Sequence, residues 1–166
     1  MSTRVQLVIL VVNIVFWGGI LLWTAFYSDD AYDPPDRLEQ RAFPQAAEPI
    51  CAATAVEIEE LGLPTEVETP AERAEMVDAE NRHLRAMVDE LAALDRPDGE
   101  EGDWVASWLE DWRTHIDDRQ DWADDLRVGD DHPFTETDRA GEQVSNVVDN
   151  FAEVNDMESC VTTGDV

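Results

Sequence analysis

Three histidines and two cysteines are the soft ligands of this chain. His83, His115 and His132 form no HExxH pair, and Cys51 and Cys160 form no CxxC. A zinc site needs about four such ligands brought together, so no metal site is expected. Ser107, Ser145 and Ser159 lack the GxSxG setting of a nucleophile elbow. A Ser/His/Asp set can still assemble from distant segments, which leaves an envelope hydrolase around His115 or His132 as the weakest reading. The stretch DRPDGEEGD, residues 95–103, lacks the alternating acids and closing glutamate of an EF-hand loop. No Gly-rich phosphate loop occurs, and paired carboxylates carry no information in so acidic a chain. No catalytic residue and no cofactor is expected.

The informative polar residues are those on apolar stripes. His115 and Arg119 fall on the seam formed by Val105, Trp108, Trp112, Trp122 and Leu126. Asn81 falls between Val77 and Leu84, and Asn155 follows Phe151 by four. A buried arginine without a partner is very costly. Arg119 therefore either pairs with a carboxylate inside the fold or lines a polar pocket for a small anion or a peptide terminus. Trp108, Trp112 and Trp122 carry the same choice, between core packing and a binding groove. Asn81, His115, Arg119, Asn155, Trp108 and Trp112 are the candidate binding or buried polar cluster.

Charge narrows the partners. Asp and Glu total 39 against 11 basic residues, all arginine, for a formal net charge of −28. Such a surface repels nucleic acid, whose phosphates need basic contacts. It attracts divalent cations without specificity.

The elements that must position these residues follow from periodicity. Val5 to Phe26 is an uncharged run of 22 residues, enough to cross a hydrocarbon core, which takes about 20. It is longer than a cleaved signal's apolar core and lacks a small-residue cleavage site. Arg4 precedes it and Asp29, Asp30 and Asp33 follow, so the positive-inside rule places the N-terminus in the cytoplasm and the remainder outside. Within the span, Asn13 is the one clear polar side chain, and Gly18-Gly19 permits close helix approach. Residues 1–27 are thus read as an anchor, 28–48 as an acidic, proline-containing tether, and 49–166 as an extracytoplasmic helical domain.

Four helices are expected in that domain. The first runs from about Pro49 to Leu61, with Ala52, Ala55, Val56 and Ile58 inward and Gly62 as its left-handed cap. The second opens on a capping box, Thr69-Pro70-Ala71-Glu72, and ends near Leu94. The third runs from an Asp103 cap to about Val128. The fourth runs from about Asp138 to Asn155, with Ala140, Val144, Val147, Val148, Phe151 and Val154 inward. No strand run appears. In an up-down-up-down bundle the first helix starts where the fourth ends. Cys51 and Cys160, 109 positions apart, therefore meet, and an oxidising compartment keeps them joined. The fold class is all-α: a transmembrane helix, a tether, and a small antiparallel bundle of about four helices closed by a disulfide.

The stretches FAEVNDMESCVTTGDV and WLEDWRTHIDDRQDWADDLR resemble small single-pass envelope proteins of high-GC Gram-positive bacteria, through Trp108, Leu109, Trp112, Arg119, Phe151, Ala152, Asn155 and Cys160. The resemblance implies a helical outer domain and carries no assigned activity. The leading expectation is a membrane-anchored binding or interaction domain of the envelope, held to the membrane by residues 5–26, with a protein partner there. The alternative is a small-ligand sensor or scavenger with a polar pocket near Arg119 and His115.

Overall fold

The computed structural model describes residues 16–17, 36–62, 67, 69–139 and 141–162. The chain divides into two units, Met1–Pro34 and Pro35–Val166. In the first, Phe16 and Trp17 are helical and exposed, with their rings edge to face at 5.6 Å. The rest of the expected span, with Asn13, Gly18 and Gly19, lies outside the described residues. No helix among the described residues is long and apolar enough to cross a membrane.

The second unit is built from four helices: α1 (Ala42–Glu59), α2 (Pro70–Ala92), α3 (Glu100–Val128) and α4 (Val144–Val154). Two short strands, β1 (Asp138–Arg139) and β2 (Glu142–Gln143), pair antiparallel ahead of α4.

α1 corrects the expected start at Pro49. It begins at Ala42 and buries Phe43, Ala47, Cys51, Thr54 and Ile58, a stripe at three- and four-residue steps that runs straight through Pro49. Pro44 falls in the first turn, where N–H groups have no helical partner. Pro49 costs one interior bond, which the burial of the stripe outweighs. Of the expected inward set Ile58 is buried, whereas Val56 faces solvent and Ala52 and Ala55 lie off the stripe. The inner end of the expected tether is likewise part of the fold. Leu38 and Phe43 are core residues, and the Glu101 carboxylate accepts the Glu39 and Gln40 N–H groups at 3.2 Å each.

α2 starts as its sequence dictates. The Thr69 hydroxyl accepts the Glu72 N–H at 3.2 Å, and the Glu72 carboxylate receives the Thr69 N–H. α3 starts at Glu100, three residues ahead of the expected Asp103 cap. Three acids in its first turn complement the positive end of the helix dipole. Gly102 lets this turn close, because a Cβ there would lie 2.4 Å from the Pro97 carbonyl oxygen. α4 starts six residues later than expected. Gly141, at φ +94°, turns the chain into the β1–β2 hairpin, and its N–H donates to Asp138 Oδ1 at 2.9 Å. Ala140, expected inward, lies outside the described residues.

α3 is the central element, with α2 on one face and α4 on another. α2 and α3 run antiparallel, since Asp78 meets Arg127 while Arg85 meets Asp117. Two apolar clusters form. The larger gathers Phe43, Leu84, Leu91, Trp108, Trp112, Ile116 and Phe151; the smaller gathers Ala74, Val77, Trp122, Ala123 and Leu126. Cys51 and Cys160 are bonded, with Cα atoms 5.0 Å apart, and tie α1 to the segment after α4. Glu48 reinforces that clasp by accepting the Ser159 N–H at 3.1 Å and hydroxyl at 2.6 Å.

Candidate functional site

The polar residues expected on the stripes separate into three places. Arg119 and Asn81 sit in a sealed layer between the two apolar clusters. Val77 and Leu84 flank Asn81 along α2, and Ile116 and Trp122 flank Arg119 along α3. The Arg119 Nε donates to Asn81 Oδ1 at 3.0 Å, and its Nη2 pairs with the Glu80 carboxylate. Arg119 is fully buried and the Glu80 side chain is 5% exposed. Burial lowers the Arg119 pKa, and Glu80 pulls it back up. Glu80 carries no sequence signal of its own, because one acid among 39 is indistinguishable from its neighbours.

Asn155 belongs elsewhere. Its Oδ1 accepts the Leu38 N–H at 2.8 Å, and its Nδ2 donates to Phe151 O at 2.9 Å and Asp36 O at 3.2 Å. One buried amide thus fastens the entering chain to the end of α4. Arg41 adds a bond to the Asn155 carbonyl at 2.7 Å. Trp108 and Trp112 are core. Trp108 packs between Phe43 and Phe151, with centroids at 6.3 and 5.4 Å, and its Nε1 donates to Val148 O at 3.1 Å.

His115 reaches a large cleft, whereas Trp108 borders a small pocket of about 150 Å³. This cleft, of about 780 Å³, opens between α3, the segment 131–137 and α4. Its floor is the Glu136 carboxylate, which receives His115 Nδ1 at 2.6 Å and the Ser145 hydroxyl at 2.5 Å. Phe134 and Trp122 form an aromatic wall, their rings 5.8 Å apart, with His115 6.2 Å from Phe134. Asp149 also lines the cleft, half-buried, accepting the Thr162 N–H at 2.6 Å and hydroxyl at 3.1 Å. Burial raises the Asp149 pKa, against the pull of Thr162. Burial also lowers the His115 pKa, aided by Arg119 and opposed by Glu136.

The cleft's outer segment is held in place by α3. Trp122 Nε1 donates to His132 O at 2.8 Å, and Asp118 accepts the Thr137 N–H at 2.7 Å and hydroxyl at 2.9 Å. His132 places Nδ1 on Pro133 O at 2.8 Å and Nε2 against Asp125 at 3.0 Å. Two acceptors favour the imidazolium, so its pKa is raised, the Pro133 carbonyl contributing most. Arg73 pairs with Asp131 at the rim, at 2.9 Å.

Among the described residues no serine of the cleft bonds to an imidazole. Ser145 bonds to the carboxylate rather than to an imidazole, Ser107 accepts from Arg139 at 3.0 Å, and Ser159 bonds to Glu48. A triad requires the serine on the histidine. Among the described residues no group of three or more His, Cys, Asp or Glu is arranged to hold a metal ion. His83 is half-exposed on α2 and meets Glu57 of α1 at 2.8 Å. Glu136, Asp149 and Thr162 were invisible to periodicity, since two of them lie in irregular segments and Asp149 sits on the polar side of α4. Comparison with family models, curated proteins and solved structures finds no match.

Proposed function

We propose that this chain is a membrane-tethered, extracytoplasmic binding domain whose ligand site is the cleft beside His115. The observation that carries the reading is the cleft itself. Its volume of about 780 Å³ suits small-molecule sites, which run roughly 300–1,000 Å³. Its lining combines aromatic side chains with a few polar groups, as small-molecule sites do. The placement outside the cytoplasm is supported by the uncharged run from Val5 to Phe26, by the exposed helical pair Phe16 and Trp17, and by the disulfide, which oxidising compartments favour. Docking of an envelope protein is the second reading. Val56 and Val128 are the large exposed apolar side chains among the described residues of the second unit. Isolated side chains of this kind make a weaker docking surface than a contiguous patch would.

The test is a small-molecule screen on the full-length chain in detergent, read as a rise in Tm. Asn146 stands on the exposed lip of the cleft. Hits that stabilise the wild type but not Asn146→Trp support the site. Hits that ignore this substitution place binding elsewhere and overturn it. Protease shaving of intact cells tests location, with loss of the domain from outside expected and full protection contradicting the placement.

A further inference from the structure

The charges around the cleft are unevenly matched. Arg73 is engaged by Asp131 and His132 by Asp125. Asp149 is held by the two neutral donors of Thr162, and no arginine among the described residues pairs with it. Glu136 receives a ring N–H and a hydroxyl, and burial keeps its imidazole partner toward the neutral form. Two carboxylates therefore face the cleft with hydrogen-bond donors but without a full counter-charge. His115 lines the same cleft. With its proton on Nδ1, its Nε2 carries a lone pair, is buried, and has no protein partner. The Phe134–Trp122 pair lines the same cleft. Aromatic faces attract cations by their quadrupole, and the −28 net charge draws cations toward the surface.

We infer that the cleft takes a small organic cation, an alkylammonium group, with its charge against Asp149 and Glu136 and its carbon substituents against Phe134 and Trp122. This rests on the cleft being the ligand site. A neutral or anionic ligand would leave the carboxylates without a counter-charge, whereas a metal ion brings no carbon surface to bury against the aromatic pair.

The experiment is calorimetric titration of the full-length chain in a nonionic detergent, at about 0.15 M salt to screen the diffuse field. Ethylammonium and tetramethylammonium are the probes; acetate and ethylene glycol are the anionic and neutral controls. Saturable one-to-one binding of an ammonium is expected. Asp149→Asn, which keeps an acceptor for Thr162, is expected to weaken ethylammonium binding about tenfold or more, as for a lost charged hydrogen bond. Phe134→Leu is expected to weaken it about three- to tenfold, as for a lost cation–π contact. Glu90→Gln, an exposed acid on α2, removes the same charge and is expected to change nothing. If Asp149→Asn lowers Tm strongly, Phe134→Leu decides. Ammonium binding indifferent to both cleft substitutions is a counterion atmosphere only, and overturns the inference. So does the absence of ammonium binding. Acetate or glycol binding that Asn146→Trp abolishes overturns the cation class while leaving the cleft as the ligand site.

Discussion

Arg119 and His115 lie one turn apart on α3, both nearly inaccessible, yet they belong to different kinds of site. Arg119 finds its carboxylate on α2, a helix packed along its whole length against α3, so the apolar clusters above and below close over the pair. His115 finds its carboxylate on the irregular segment 131–137, which with α3 and α4 borders a cleft beside the pair. The same residue pattern on a helix thus yields a sealed brace or an open floor, depending on which element brings the partner. The sealed pair braces two helices; the other borders open space.

The largest effect that tests this contrast is on stability. Arg119→Ala strips Glu80 of its buried guanidinium, and such truncations cost about 3–5 kcal/mol. Chemical denaturation should show a loss in that range, with ligand affinity at the cleft unchanged in whatever fraction stays folded. Replacing both partners, Arg119→Leu with Glu80→Leu, should recover most of it, because well-packed apolar substitutes for a buried ion pair are often neutral or stabilising. A double variant as unstable as the single would show that the layer does more than pair charges.

Next comes the clasp. Cys51→Ala with Cys160→Ala opens a loop of 109 residues, and losses of about 2–5 kcal/mol are typical. Cys160 lies two residues before Thr162, which closes on Asp149. Amide exchange should therefore speed up at Thr162 and α1 more than at Arg119. Uniform acceleration would deny the clasp any special link to the cleft wall.

The smallest effect is the pH dependence, where the two cleft histidines should act with opposite sign. The depressed pKa of His115 makes the unfolded chain the better proton binder, so its contribution is full above about 6.5 and is lost as pH falls below that value. The raised pKa of His132 makes the folded chain the better binder. Its contribution is full below about 6.5 and is lost as pH rises through the raised value. Denaturation midpoints from pH 5 to 8 should show the acid-side loss flattened in His115→Gln and the alkaline-side loss flattened in His132→Gln. Identical profiles for the two variants would remove the distinction between floor and rim.

How far the sequence reached follows the same physics. Helical periodicity put every stripe residue of α2 and α3 inside, including Asn81, His115 and Arg119, because burial on a packed helix is written in three- and four-residue steps. The capping box at Thr69 and the meeting of Cys51 with Cys160 were legible for local and topological reasons. The start of α1 was not. Pro49 reads as a first-turn proline, and only the Phe43–Ala47–Cys51 spacing argues past it. The start of α4 was obscured by the continuity of polar residues through Asp138, until Gly141 breaks it. Partners were the least legible. Glu80 is one acid among many, and Glu136 and Thr162 come from segments where no period constrains which way a side chain turns.

The most direct test uses the indole N–H signals of the folded, full-length chain. Trp122 belongs to the cleft wall and bonds to His132 O, whereas Trp112 lies in the sealed core. Nitrogen-15 spectra recorded through an ethylammonium titration should move the Trp122 indole resonance and leave that of Trp112 in place. Movement at Trp112 with Trp122 unchanged would mean that the seam binds and the cleft does not.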